Sequence, residues 1–261
     1  MALIFAHRGF SSRQPEATVA AYREAIDWAI ANDTELGLEC DVQFSADDQL
    51  ICLHDLLLDR TSAEIGDAFE WTVERLRLVD FGSWKIPSPT AEQRSIVTLA
   101  DLMAMVADAR TSGASITLAI ETKHPNPRGL DIEDRVAQLL VDYGWHQAGS
   151  PVRIISFSED ALTKVGRILP ALDRSLLIEV SFGRWVTGEL PQGVRIVGPD
   201  LALIKQDPDF VSRARAHGNE VHVWTVNEPE DVRFCLDLGV TGFTTDYPER
   251  VAAVLQQPSG A

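Results

Sequence analysis

Short apolar runs rich in branched residues alternate with segments of helical period along almost all of the 261 residues, and this alternation is what most constrains the fold. A strand that leads into a helix and then into another strand builds a parallel sheet. The strand-like runs are 3–8, 36–44 with 50–54 close behind, 116–123, 152–157, 175–180, 194–197, 220–226 and 242–245. Helical patterns fill 18–32, 99–109, 132–143, 160–169, 208–217, 229–238 and 249–255. With 50–54 read as an extension of the run before it, about eight βα repeats remain, the number that closes a (β/α)8 TIM barrel. The predicted class is therefore α/β, with residues 1–261 forming one barrel domain, a length such barrels reach without dividing.

One stretch breaks the rhythm. Residues 56–97 carry Gly66, Trp71, Gly82, Trp84, Pro87 and Pro89, with only 73–78 looking helical, and read as a small insertion after the second strand. An insertion there is expected beside the barrel mouth, offering Trp71, Phe81 and Trp84 to part of a ligand and setting its preference, with at least one of the tryptophans packing onto the barrel instead. The polar tail 256–261 is expected to fray.

Composition excludes several classes. Hydrophobic residues make up 45% and charged residues 24%, as in an ordinary globular chain with a sizeable core. The net charge of −16, from 23 Lys+Arg against 39 Asp+Glu, repels nucleic acid and anionic lipid surfaces, so no nucleic-acid partner is expected. An anionic substrate must then be held by local cations that override this field. No run reaches the ~20 apolar residues of a membrane-spanning helix, so no stable membrane insertion is expected, and the start 1–5 runs into His7 without the pattern of a signal peptide. Cys40, Cys52 and Cys235 show no paired spacing and read as small buried hydrophobes, consistent with a cytoplasmic protein.

Chemically capable residues recur at the C-terminal ends of the strands, where barrel enzymes react: His7 and Arg8, Glu39 and Asp41, His54, Glu121 and Lys123, Trp224, Asp246. Alternate side chains of a strand share a face. Glu39 and Asp41 therefore leave the second strand together, while Leu36, Leu38, Cys40, Val42 and Phe44 take the other positions. Glu121 and Lys123 repeat the pattern. Three carboxylates converging on one axis repel strongly unless a divalent cation neutralises them, and oxygen donors suit Mg²⁺ or Ca²⁺. Plainer roles stay open for each piece: His7 as a hydrogen-bonded packing residue, Lys123 as a partner of Glu121, Trp224 as core filling. His222 also alternates inward, and His124, His146 and His217 receive no role.

The ordered strings His7-Arg8-Gly9, Pro15-Glu16-Ala17-Thr18, Glu39-Cys40-Asp41-Val42, His54-Asp55 with Asp59-Arg60-Thr61, Ile120-Glu121-Thr122-Lys123, Ser156-Phe157, Val223-Trp224-Thr225-Val226-Asn227 and Gly242-Phe243-Thr244-Thr245-Asp246-Tyr247-Pro248 together resemble the glycerophosphodiester phosphodiesterases over nearly the whole chain. The resemblance implies a barrel enzyme that hydrolyses glycerophosphodiesters to glycerol 3-phosphate and an alcohol, working as a monomer or small homo-oligomer on a small-molecule substrate. By position it makes Glu39, Asp41 and Glu121 ligands of a divalent metal, and His7 and His54 the general acid and base. It makes Arg8 and Lys123 phosphate-binding cations, and Phe157 and Trp224 pocket-lining residues. Ala17 departs from the family, which usually has Asn in that string, and this leaves the contacts around Glu16 open.

Three other readings compete. A phospholipase D-like or lysophospholipid-cleaving enzyme could share the barrel, although its secreted, disulfide-bonded toxin members differ from this chain. A lyase using Lys123 as an amine or base would leave His7 and His54 without a common task. A non-catalytic binding protein would be expected to lack at least one of the histidines or carboxylates.

Overall fold

A computed structural model describes residues 2–257 of the chain; of the tail expected to fray, 258–261 lie outside the described residues. The strands are β1 (Leu3–Ala6), β2 (Leu36–Phe44), β3 (Leu50–Cys52), β4 (Ile116–Thr122), β5 (Val152–Ser156), β6 (Asp173–Ile178), β7 (Ile196–Pro199), β8 (Glu220–Val223) and β9 (Gly242–Thr245). Eight of them run parallel in the order β1-β9-β8-β7-β6-β5-β4-β2, and a β1–β2 pairing closes the ring. This is the predicted TIM barrel. β3 stands outside it, antiparallel to the end of β2, with Cys52 opposite Val42.

Local chemistry explains most element ends. The helix Val19–Ala31 starts where the Thr18 hydroxyl accepts the Ala21 N–H, and Leu99–Thr111 starts at a capping box of Thr98 and Asp101. Pro229 and Pro248 open their helices at positions that need no N–H, and left-handed Gly239 closes the first of these. The helices Asp131–Asp142, Glu159–Ile168 and Asp209–Ala216 also fall where the periodicity placed them. The helices Leu201–Gln206 and Ala91–Arg94 were not anticipated, because four to six residues are too short to display a period.

The strands are corrected at their ends. β1 stops at Ala6 rather than Arg8, because Arg8 (φ 55°) and Gly9 (φ 84°) turn the chain sharply. A Cβ on Gly9 would sit 2.6 Å from the backbone carbon of Ala21, so glycine is required there twice over. β3 ends at Cys52 rather than His54, and β8 at Val223 rather than Val226. In each case the reactive residue lies just past the strand, in the turn.

Two layers fill the molecule. Outward positions of β2 (Leu36, Leu38, Cys40, Val42, Phe44) meet the helices in the main core, where Cys40, Cys52 and Cys235 are buried and unpaired. Inside the barrel, Phe5, Ala119, Ile155 and Leu177 form a plug. Toward the N-terminal ends of the strands, His222 Nδ1 accepts from Arg153 at 2.9 Å while its Nε2–H donates to Glu220 at 3.1 Å. The ring is therefore neutral, and burial pulls its pKa down. With the native pKa below the unfolded value, the unfolded chain binds more protons in the interval between them. The stabilisation is thus complete above the unfolded value of about 6.5 and is lost as pH falls from there toward the native pKa. Urea unfolding at pH 7.5 and 5.5 is expected to show a larger drop for the native chain than for His222→Leu; equal drops would contradict this.

The insertion does not meet the expectation placed on its aromatic residues. Trp71 and Phe81 are buried in a satellite core with Ile51, Leu53, Leu58, Leu76 and Ile96, and Arg75 covers the Trp71 ring at 3.2 Å. Trp84 is 43% exposed with its Nε1–H on the Phe81 carbonyl. None of the three lines the main cavity. The reason is energetic: an insertion lying outside the barrel must bury its own large apolar side chains to order itself. Trp71→Ala is expected to cost about 3–5 kcal/mol, read as a lower urea midpoint. An unchanged midpoint would put Trp71 outside the core.

Candidate active site

A cavity of about 430 Å³ opens at the C-terminal ends of the strands. His7, Arg8, Glu39, His54, Glu121, Lys123, Phe157 and Trp224 line it, and Asp41 is buried beside Arg8 and Lys123. The nine residues singled out in the sequence, spread over more than 200 positions, therefore meet in one place.

The acidic cluster comes from strand register. β2 and β4 pair with Asp41 opposite Glu121, and Glu39 sits one inward position below Asp41. Carboxylate oxygens of Glu39, Asp41 and Glu121 lie within 4.8 Å of one another, and all three residues are buried. Burial first, and then repulsion from Asp41, pushes the Glu39 and Glu121 carboxyls up. Asp41 goes the other way: burial opposes its charge, but Arg8 and Lys123 hold it down at about 2. Arg8 Nε lies 3.0 Å from Asp41 Oδ2, and Lys123 Nζ lies 2.8 Å from Glu121 Oε1 and 3.3 Å from Asp41 Oδ1. Yet Asp41 Oδ2 and Glu121 Oε1 make no well-aligned hydrogen bond among the described residues. Two cations thus stand beside the three carboxylates without saturating them. Hard oxygen donors, buried and incompletely satisfied, fit a divalent cation.

The turn after β1 serves this cluster directly. Left-handed Arg8 aims its backbone N–H at Glu39 Oε2, 3.0 Å away. Its guanidinium meets Glu16 at 2.8 Å. Ala17, at φ 57°, donates its N–H to the Arg8 carbonyl at 2.9 Å. Asn tolerates that left-handed conformation better than Ala does, but Ala17 adopts it here, and Glu16 contacts Arg8 and Arg60. The departure at Ala17 leaves this corner intact.

Each histidine is held by a carboxylate. His7 Nδ1 is 2.8 Å from Asp246 Oδ1, and His54 Nδ1 is 2.6 Å from Asp55 Oδ1. An ionised carboxylate only accepts, so Nδ1 carries the hydrogen in both rings and Nε2 is left unpaired among the described residues. Burial opposes charge on Asp246, but hydrogen bonds from His7, Asn227 and Ser11 hold its carboxyl well below the usual range. His54 is pulled down chiefly by burial, with the Asp41 charge opposing.

Several of these supports were not assigned from sequence. Gln43, on the same face of β2 as Glu39 and Asp41, points its side-chain amide at the carbonyls of Leu53, His54 and Asp55 at 3.0, 3.0 and 2.6 Å. It thereby fixes the segment that carries His54. Arg60 contacts Asp55 through Nε and grips Glu16 at 2.7 and 3.0 Å, so the insertion reaches the site through an arginine rather than a tryptophan. The alternation 39-41-43 and the charged string Asp59-Arg60 were the available signals. His124, given no role, also lines the cavity, with Nε2 2.9 Å from the fully buried Glu133.

The far wall is aromatic. Phe157 and Trp224 meet edge to face with ring centres 5.7 Å apart, and the Trp224 Nε1–H is fixed on the Gly198 carbonyl at 2.7 Å.

Comparison with known proteins agrees with this geometry. A profile of the glycerophosphoryl diester phosphodiesterase family matches residues 7–250. A Mycobacterium tuberculosis protein named "Probable glycerophosphodiester phosphodiesterase 1" is 34% identical over 97% of this chain and 92% of its own length. A Bacillus subtilis glycerophosphodiester phosphodiesterase is 30% identical over 95% and 84%. Among solved structures, an Oleispira antarctica phosphodiesterase in complex with its product sn-glycerol-3-phosphate superposes with a TM-score of 0.76 at 21% identity, covering 98% of this chain and 97% of that one. With a match that spans nearly every strand and every residue lining the cavity, from His7 to Thr244, the chain belongs to the glycerophosphoryl diester phosphodiesterase family.

Proposed function

We propose that this protein hydrolyses glycerophosphodiesters to glycerol 3-phosphate and a free alcohol, with a divalent cation, Mg²⁺ or Ca²⁺, held by Glu39, Asp41 and Glu121. The observation that carries this reading is the meeting, in one cavity, of a buried three-carboxylate cluster, two cations and two carboxylate-held imidazoles. When bound, the cation supplies Lewis-acid stabilisation to the phosphate oxygens as their charge grows.

The chain's own residues do the rest. The Arg8 guanidinium and the Lys123 ammonium flank the phosphate, and their attraction rises as the phosphoryl group gains charge. One of His7 and His54 takes the proton of the attacking hydroxyl at Nε2 while the new P–O bond forms. The other gives its Nε2 proton to the departing alkoxide as the old P–O bond breaks. Asp246 and Asp55 keep the rings in the tautomer this requires. If the attacking group is the substrate's own glycerol hydroxyl, a cyclic phosphate forms, and the same pair opens it with water by exchanging roles. Three buried, unpaired cysteines support a cytoplasmic setting.

The test is release of glycerol 3-phosphate by the protein with added Mg²⁺ or Ca²⁺, from diesters of choline, ethanolamine, glycerol and inositol. Absence of product from every diester would overturn the reading.

A further inference from the structure

The alcohol end of the cavity carries a charge that the phosphate chemistry leaves unused. Ser175, Leu177 and Glu179 alternate along β6 and its continuation, and Leu177 points into the barrel plug. Glu179 is the next inward step above it and lines the cavity. In ring order β6 stands three strands from β2, which brings Glu39 and Asp41, with β4 and β5 between them. The other carboxylates in the cavity wall are engaged: Glu39 accepts the Arg8 N–H, and Glu121 meets Lys123. The two strong cations of the cavity are engaged as well, Arg8 with Asp41 and Glu16, Lys123 with Asp41 and Glu121. Glu179 is exposed and has no ion-pair partner within 4.0 Å among the described residues. Around the same wall stand the edge-to-face rings of Phe157 and Trp224 and the apolar side chains of Ile155 and Leu177.

We propose that Glu179, with the Phe157–Trp224 corner, reads a positive charge on the alcohol half of the diester, so that the preferred substrates carry an ammonium or quaternary ammonium group. The assignment rests on the phosphodiesterase reading above and says which diesters it favours. Two effects act together. A carboxylate facing the cavity attracts a cation electrostatically. Aromatic faces bind one through their quadrupole, and they do so for quaternary ammonium groups that cannot donate hydrogen bonds. With a divalent cation held by Glu39, Asp41 and Glu121, the phosphate end would carry the opposite field, from Arg8, Lys123 and that cation, and a substrate with an anionic middle and a cationic end would match the cavity along its length. A neutral alcohol such as glycerol matches only half of it.

The experiment measures kcat/KM for glycerophosphocholine, glycerophosphoethanolamine and glycerophosphoglycerol, by glycerol 3-phosphate release with saturating Mg²⁺, in the native enzyme, Glu179→Gln and Glu179→Lys. The ratio of either cationic diester to the neutral one is expected to exceed one in the native enzyme and to fall by about threefold to tenfold in Glu179→Gln. It should fall further, below one, in Glu179→Lys. Added salt should lower the ratio in the native enzyme more than in Glu179→Gln. The same ratio in all three proteins, with product formed in each, would overturn the assignment while leaving the phosphodiesterase reading in place. No product from any diester in the native enzyme would instead remove that reading and this one with it.

Discussion

Replacing His54 by alanine, or His7 by alanine, is expected to lower turnover by a factor on the order of 10²–10⁴ with the fold retained. Both rings stand past the ends of their strands and outside the main core and the satellite core, so truncation removes a proton carrier without opening a cavity among apolar side chains. Each ring also has its Nδ1 held by a carboxylate, Asp246 or Asp55. In both rings Nε2 is left unpaired among the described residues, whereas structural His222 has both ring nitrogens engaged. The double variant should lose less than the product of the single losses, because the two rings act in one proton-transfer scheme and the second removal takes away what the first has already disabled. Steady-state rates with circular dichroism as a fold control check this. Near-native turnover in either single variant would make that histidine structural.

Removal of divalent metal is expected to have an effect of similar size. Metal-ion stabilisation of a phosphoryl transition state is worth several kcal/mol, and each 1.36 kcal/mol is tenfold in rate, so chelation should lower turnover by a factor on the order of 10²–10⁴. Mg²⁺ or Ca²⁺ should restore it. A second readout does not depend on turnover. Glu39, Asp41 and Glu121 crowd their oxygens within 4.8 Å in a buried site, and Arg8 and Lys123 offset only part of the repulsion, so a bound cation should relieve the rest. Added metal at a hundredfold excess over its dissociation constant should stabilise the fold by about 2.7 kcal/mol and raise the melting temperature. Glu39→Gln should abolish that metal-dependent rise. Full activity in excess chelator, or a melting temperature indifferent to metal, would contradict the assignment of the cluster.

Much of the fold and the core of the site were legible in the residues, and the reasons are local. Alternation along β2 put Leu36, Leu38, Cys40, Val42 and Phe44 on one face and Glu39 and Asp41 on the other, and both faces are buried as a closed barrel requires. Helix starts also rest on local chemistry, the hydroxyls of Thr18, Thr98 and Ser158 capping the first turns. Reactive residues were readable as a group because they recur at strand ends. Their supports were harder to see. Gln43 shares the inward alternation of its neighbours, but its task depends on β3 folding back beside β2. His124 acquires its partner only when Glu133, nine residues on, is buried beneath it.

The sequence by itself determined the order of strands and helices, the barrel class and the residue types delivered to the mouth, because periodicity, capping and turn chemistry act over a few residues. Tertiary structure alone decided the pairings. His7 meets Asp246 across 239 positions, Arg60 meets Glu16 across 44, and Asp41 faces Glu121 through the β2–β4 register. It also decided that Trp71 packs into a core instead of facing the cavity, and that Glu179 is left without a cation of its own. The reason is physical: an apolar pattern states which face is buried, whereas the partner of a charge depends on distances that exist only once the barrel has closed and its loops have settled over the mouth.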